Sequence, residues 1–559
     1  MTTLLAWISM LPLAGDAELS AKDTGILHDS DTMMRALAGE MQRSMDELLI
    51  EGLARPYHIR LTAEERLTYS CQAAYGALIR SDRGHTRQAQ SRVRVGNFEL
   101  DNSHIGFPYG GRTNLPLEDD ESAIRHALWR MLDQDYKRAV EVLTRKVAYL
   151  QQKNVVERPE DYAPREGDVA IEPTPEFSWN QKAWEYRLRQ LSQQFAKFPR
   201  IQDSQVTLFG AAMNQWIVDS EDTRLRIGDT GTILTFRAEI QADEGMMLQD
   251  SVSYVASLPA DFPEEEELMD DITSLCNGLA ELAESSILDE YTGPVLFDAE
   301  AAGRVVESLL ADKLCARPIP LGRRNAVDNS LARKIGRRIL PRTFTVYDDP
   351  RVESFDDKLL LGSYRYDDEG VPPQKVELVE RGILNTMLSG REPTKKIKQT
   401  NGHARQAGFS DPQANIGCLF VQDTDGLSDE DLVKKLREAA EDEGLTFGIR
   451  VKSMKRGGGG SLGDPIFAYK VYVDDGREEL IRGVKFGPVD TRELKRMLAA
   501  GNRQAVYNSL GGVSTSIIAP GMLFEELELR RIEAEFDRQP ILAAPAIRTA
   551  SQGALETDG

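Results

Sequence analysis

The sequence predicts an α+β protein in two parts: an N-terminal antiparallel sheet with helices, followed by a β-rich C-terminal domain. Three observations carry this. The chain has 559 residues and 41% hydrophobic content, enough for at least two packed cores. The first half alternates long stripes at helical spacing with period-2 runs joined by polar turns. The second half is dense in short alternating runs separated by acid-Gly turns.

In chain order, Leu4 to Ala14 has the length of a signal-peptide core. Gly15-Asp16-Ala17 supplies small residues for cleavage, but the leading Met-Thr-Thr carries no Lys or Arg. Residues 1–20 are therefore read as either an export signal or an apolar arm. The first makes the protein exported or periplasmic, the second cytoplasmic. Met34, Leu37, Met41, Leu48 and Leu49 mark a helix over 31–51, closed by Gly52. Alternation predicts strands over 57–79 and 86–102 with a polar turn between them. His85 and His104 fall at turns and are expected to be solvated. Residues 103–118 read as loop. A stripe from Ile124 to Leu150 predicts a helix over 119–153, and Trp179 to Phe195 predicts another over 179–197. Strands follow at 205–218, 223–241 and 246–257. Glu264 to Glu267 open a helix reaching about 286, where acidic residues suit the positive end of the dipole. The N-terminal domain then spans 30–290, with its helices on one side of the sheet.

Tyr291 to Leu314 reads as strand, acidic cap and helix, with Asp298 as N-cap. A basic stretch at 316–341 includes Arg323, Arg324 and Arg338. Strands are expected at 344–349, 359–370, 374–382 and 383–388. A Ser428-capped helix, a strand at 445–454 and a hairpin turning at Asp475-Gly476 come next. A capped helix is expected over 490–501, and a late strand over 522–531. Gly457 to Gly460 reads as a hairpin tip. The second domain spans 291–535, and residues 539–559 read as a disordered tail.

A net charge of −22 argues against nucleic acid and against anionic membrane surfaces. No run approaches the ~18 apolar residues of a spanning helix. Cys71, Cys276, Cys315 and Cys418 are far apart, form no C-x-x-C pair, and read as buried apolar residues. The six histidines, His28, His58, His85, His104, His126 and His403, include no H-x-x-x-H pair. G-x-S-x-G is absent, and no G-x-G-x-x-G opens a helix after a strand. What remains is carboxylate: Asp348-Asp349, Asp367-Asp368-Glu369-Gly370, and Asp298 with Glu300. Each suits a general base or a hard metal, and equally a turn or a cap.

Five segments in order resemble the TldD/PmbA family of metalloprotease-related proteins: GPVLFDAEAAGRVVESL, FTVYDDP, YDDEGVPPQKVELVERGILNTMLSGR, TNGHAR and APGMLFEELELR. The likeness covers roughly 291–530. The first half is a weaker match, with an apparent helical insertion at about 103–200. The resemblance implies a fold of two such domains. Active members carry H-E-x-x-x-H on the helix after the apolar strand and a Cys ligand late in the chain. They bind zinc and cleave unstructured peptides. By that resemblance Asp298 stands at the first His, Ala299 at the Glu and Gly303 at the second His. Shifting the register by one brings Glu300 and Arg304 to the motif. Neither register supplies a histidine, and no Cys follows Cys418. This is the pattern of the PmbA-like, or TldE-like, branch. The expectation is a subunit without its own metal or cofactor, pairing as a homodimer or with a TldD-like subunit that carries the zinc, and holding unfolded peptide as an added strand. Candidate substrate contacts are Asp368, Glu369, Gly370, Asn401, Gly402 and His403. The alternatives are a peptidase with a non-standard site built from Asp298, Glu300 and the Asp348 and Asp368 clusters, or a non-catalytic interaction protein.

Overall fold

The computed structural model describes residues 30–105, 110–155, 157–175, 179–322, 330–408, 410–457, 461–534, 536–540 and 542. The expected signal or arm, Arg323 and Arg324, Gly458 to Gly460 and most of the tail lie outside these residues.

Helix α1 (Thr32–Glu47) starts at Asp31, whose Oδ1 accepts the Met34 N–H at 2.9 Å. The other oxygen of Asp31 accepts Trp216 Nε1–H at 2.9 Å and Arg226 Nη1–H at 2.7 Å, tying the cap to the sheet. The sheet comprises β1 (Pro56–Ala74), β2 (Ala77–Val95), β3 (Arg112–Asn114), β4 (Val169–Ile171), β5 (Ile201–Asp219), β6 (Arg224–Gln241) and β7 (Met247–Ala256). Its order is β3-β2-β1-β5-β6-β4, and β7 pairs along a different stretch of β6. Among the described residues three more α-helices complete this half: α2 (Glu121–Lys153), α3 (Gln181–Gln193) and α4 (Glu265–Glu284). All four pack on one face, as the period-2 pattern requires. Ile59, Leu61 and Trp216 lie under α1 and α2, and Tyr69, Leu208 and Phe236 under α3 and α4.

The second half contains β8 (Ser286–Ile287), β9 (Glu290–Phe297), α5 (Ala299–Leu309), β10 (Phe344–Asp348), β11 (Ser354–Phe355), β12 (Lys358–Leu359), β13 (Val376–Glu380), β14 (Ile383–Leu384), β15 (Ala404–Arg405), β16 (Gln413–Ala414) and β17 (Cys418–Asp423). It continues with α6 (Asp429–Asp442), β18 (Phe447–Met454), β19 (Pro465–Tyr472), β20 (Glu478–Arg482), β21 (Val484–Phe486), β22 (Met497–Leu510) and β23 (Ser514–Arg531). The large sheet runs β14-β13-β10-β17-β23-β9-β18-β19-β20-β8, with β21 and β22 also on β23. The 18-residue β23 is its spine. No helix among the described residues is long and apolar enough to cross a membrane. The four cysteines are free and buried.

The structure corrects four expectations. The first hairpin turns at Tyr75 and Gly76, whose φ values of 47° and 81° suit a two-residue turn. Residues 80–85 instead stay in the ladder, and His85 pairs with Leu67 across it. That polar stretch looked like a turn because this end of the hairpin is largely open to water. Residues 359–370 form a strap rather than a strand. The Asp367 carboxylate accepts the N–H groups of Glu369, Val371 and Ala404, which a neighbouring strand would otherwise have satisfied. Residues 490–501 contain one 3₁₀ turn, Glu493–Arg496, before β22 takes over. Pairing with β23 there overrides the helical propensity of Met497-Leu-Ala-Ala. His104 is mostly covered rather than solvated, its side chain 14% exposed, at φ 58°. Burial foremost, helped by Lys146, lowers its pKa to about 4.

The strap joins the halves. It lies on the face of the first sheet that the helices leave open: Leu361 meets Phe209 and Ala211, Tyr364 meets Met213, and Tyr366 packs by Ile217 and Leu225.

Candidate functional site

Strand β9 sits between β23 and β18, and the Asp298 N–H extends the latter pairing by donating to Val451 O at 2.9 Å. Helix α5 then turns Ala301, Ala302, Val305, Val306 and Leu309 into the core. Its outward residues are Glu300, Arg304 and Glu307. Asp298 occupies the N-cap position, but its side chain makes no capping bond. Instead the carboxylate takes two hydrogen bonds from Arg450, Nε at 2.8 Å and Nη2 at 2.9 Å. Arg450 also reaches Glu478 at 2.8 Å. With burial opposing it, this pairing raises the Arg450 pKa.

Gly303 faces β22. A Cβ built on it would lie 2.5 Å from Tyr507 Cβ and 3.1 Å from Cγ. Tyr507 is held in place: its hydroxyl donates to Glu307 at 2.9 Å, and the Arg304 guanidinium lies 5.0 Å from its ring centroid. Glu307 also accepts from Arg456 at 2.8 Å and from Ser509. Ala299 offers no ligand atom. Glu300 is 72% exposed, with Lys358 4.0 Å away. Zinc does not fit the residues expected to match the motif: the Asp298 carboxylate is taken up by Arg450, Ala299 has no ligand atom, and Gly303 has no side chain and faces Tyr507.

The other predicted residues lie apart from α5, in a buried polar layer. His403 Nε2 lies 3.1 Å from Asp348 Oδ1, and its Nδ1 is 2.9 Å from Asn401 O. Asp348 also accepts the Gly417 N–H. Asp368 pairs with Arg405 at 3.5 Å and accepts the Gln406 N–H; burial raises its pKa despite Arg405. Glu369 accepts the Arg391 N–H at 2.6 Å and faces Arg60 at 3.8 Å. Gly370 has φ 78° and packs on Thr223 and Leu225, and Gly402, at φ 73°, packs against the Pro372 and Pro373 backbone. The side chain of Asn401 bonds Ser389 N and Met387 O. Asp349 pairs with Arg351 at 2.7 Å. These residues shape loops, and they do not gather with Asp298 and Glu300 into one carboxylate cluster.

Among the described residues, the one group of three metal-type ligands is His58, Asp219 and Glu221. Its cation is already supplied by protein. The fully buried Arg391 donates to Glu221, has Nη1 3.8 Å from Asp219, and stacks on Tyr162 at 4.2 Å. Burial works to raise the Glu221 pKa, but His58 and Arg391 hold it down to about 2. Burial lowers the pKa of His58. His58, Asp219 and Glu221 form no local motif in the sequence. The group's signal was the polar alternation His58, Arg60, Thr62, Glu64, Arg66 opposite the apolar Ile59, Leu61 and Ala63.

The model of the PmbA/TldA metallopeptidase C-terminal domain matches residues 290–531. Over these residues, which are under half of its length, the chain is similar to the PmbA/TldD family. Curated relatives agree: a metalloprotease of Methanocaldococcus jannaschii is 32% identical over 25% of this chain and 28% of its own length. A second, of Methanothermobacter thermautotrophicus, is 33% identical over 20% and 23%. The chain thus spans under a third of those relatives' lengths. Among solved structures, TldE from Thermococcus kodakarensis superposes with a TM-score of 0.57 at 13% identity, covering 89% of this chain and 99% of that one. A Thermotoga maritima protein designated a proposed modulator of a DNA gyrase gives 0.57 at 16%, covering 84% and 96%. The PmbA/TldD fold therefore extends over both sheets.

Proposed function

We propose that this chain is a metal-free, peptide-holding subunit of a PmbA/TldD-type proteolytic assembly, and that a paralogue bearing H-E-x-x-x-H supplies the catalysis. The observation that carries this reading is the state of α5, with Asp298 clamped by Arg450 and the space beside Gly303 taken by Tyr507. Peptide has an edge to join. Among the described residues β7 pairs only with β6, and Met247, Gln249, Ser251 and Ser253 are exposed along it. The edge runs near α5: the charge of Arg304 acts on Asp250 of β7, whose pKa burial raises. Main-chain bonding along such an edge gives affinity with loose sequence preference. Fluorescence anisotropy with an unfolded peptide tests this. Binding is expected, and backbone N-methylation at the alternate peptide residues whose N–H groups face β7 should abolish it. Methylation of the alternate set facing away from β7 should be tolerated, and binding that survives methylation on both alternate sets would remove strand addition from the account.

A further inference from the structure

A pocket of about 350 Å³ lies at the Met247 end of β7, between the two halves of the chain. Its apolar wall includes Met246, Leu248, Ile466 and Phe536. Arg482 also lines it. That side chain is 9% exposed and reaches Glu244 through its two terminal nitrogens, while its Nε–H is buried without a hydrogen-bond partner. A buried unpaired donor is costly, and it is relieved by an acceptor entering the pocket. The charged residues of the lining balance, Lys455 and Arg482 against Asp464 and Asp537. The suited acceptor is therefore a neutral carbonyl rather than a carboxylate. Met247 and Gln249 belong both to the pocket and to the free edge of β7.

We infer that this pocket is a side-chain subsite for a peptide added to β7. It takes one bulky apolar residue, with a peptide carbonyl accepting from Arg482 Nε. This rests on the strand-addition reading and adds a sequence preference at one position.

The test uses the full chain and a labelled Ser/Gly-rich peptide with one guest residue, read by anisotropy. Leu, Met or Phe as guest should bind about tenfold more tightly than Asp, as burial of one apolar side chain implies. Ile466→Trp, which fills the cavity, should bring the Leu peptide down to the Asp value. Met247→Trp, at a residue 42% exposed and so tolerant of change, should narrow the preference if Ile466→Trp fails to fold. Arg482→Gln should weaken the Leu peptide more than the Asp peptide. Equal affinity for all guests, or a preference untouched by the folded cavity variants, would overturn the subsite while leaving peptide binding intact. No binding of any guest peptide would overturn the parent reading as well.

Discussion

At Gly303, two effects compete in a single substitution. Alanine there gains about 1 kcal/mol of helix propensity, yet its Cβ would overlap Tyr507, and such overpacking costs about 1–3 kcal/mol. Gly303→Ala should therefore destabilise the fold by up to about 2 kcal/mol in urea unfolding. The same crowding predicts that Asp298→His, Ala299→Glu and Gly303→His together will not give stoichiometric zinc by elemental analysis. Buried carboxylates set a pH dependence. Burial, reinforced by Glu369, pushes Asp367 up to about 7; burial, partly offset by Arg365, does the same for Asp229. Both start from 3.8, so between those values the folded state binds more protons than the unfolded one. Stability then falls as pH rises through that window. His58 and His104, lowered by burial, act in the opposite sense, but only below the ordinary histidine value of about 6.5. The thermal midpoint should drop between pH of about 6.5 and 8, and Asp229→Asn should shrink the drop. A midpoint that rises over this range would contradict the assignment.

The elements differ in how far the sequence revealed them. Strand β9 and helix α5 were legible, since Val295-Leu296-Phe297 is apolar, Asp298 stands at the boundary, and the helical stripe follows. The fate of Asp298 was not, because Arg450 is distant in sequence and becomes a neighbour only through the parallel pairing of β18 with β9. The strap was misread because Leu359 to Gly370 alternates like a strand. Its polar residues instead satisfy backbone donors, and its apolar ones plug the first sheet. Leu361 is fully buried in that plug. Leu361→Ala should cost about 2–4 kcal/mol, visible as a lower denaturation midpoint. An effect under about 0.5 kcal/mol, the level of an exposed surface site, would mean that the strap does not hold the halves together. Asp368, Glu369 and His403, expected as substrate contacts, are buried in a loop scaffold whose partners come from three or more segments.

Across the whole molecule, two sheets meet through a buried charged layer in which Arg391 supplies the cation for Asp219 and Glu221. The helical stripes and strand alternation predicted this two-part plan, while the layer between the parts is long-range and invisible to local pattern. In the proposed reading a PmbA/TldD-type fold is kept while the positions expected to match its metal motif are turned to internal pairing, as Asp298 is with Arg450. Native mass spectrometry of the purified chain, incubated with zinc and an unfolded peptide, tests that claim most directly. A complex of the chain with intact peptide and no stoichiometric zinc is the predicted result. Bound zinc with peptide fragments released by the chain alone would contradict it.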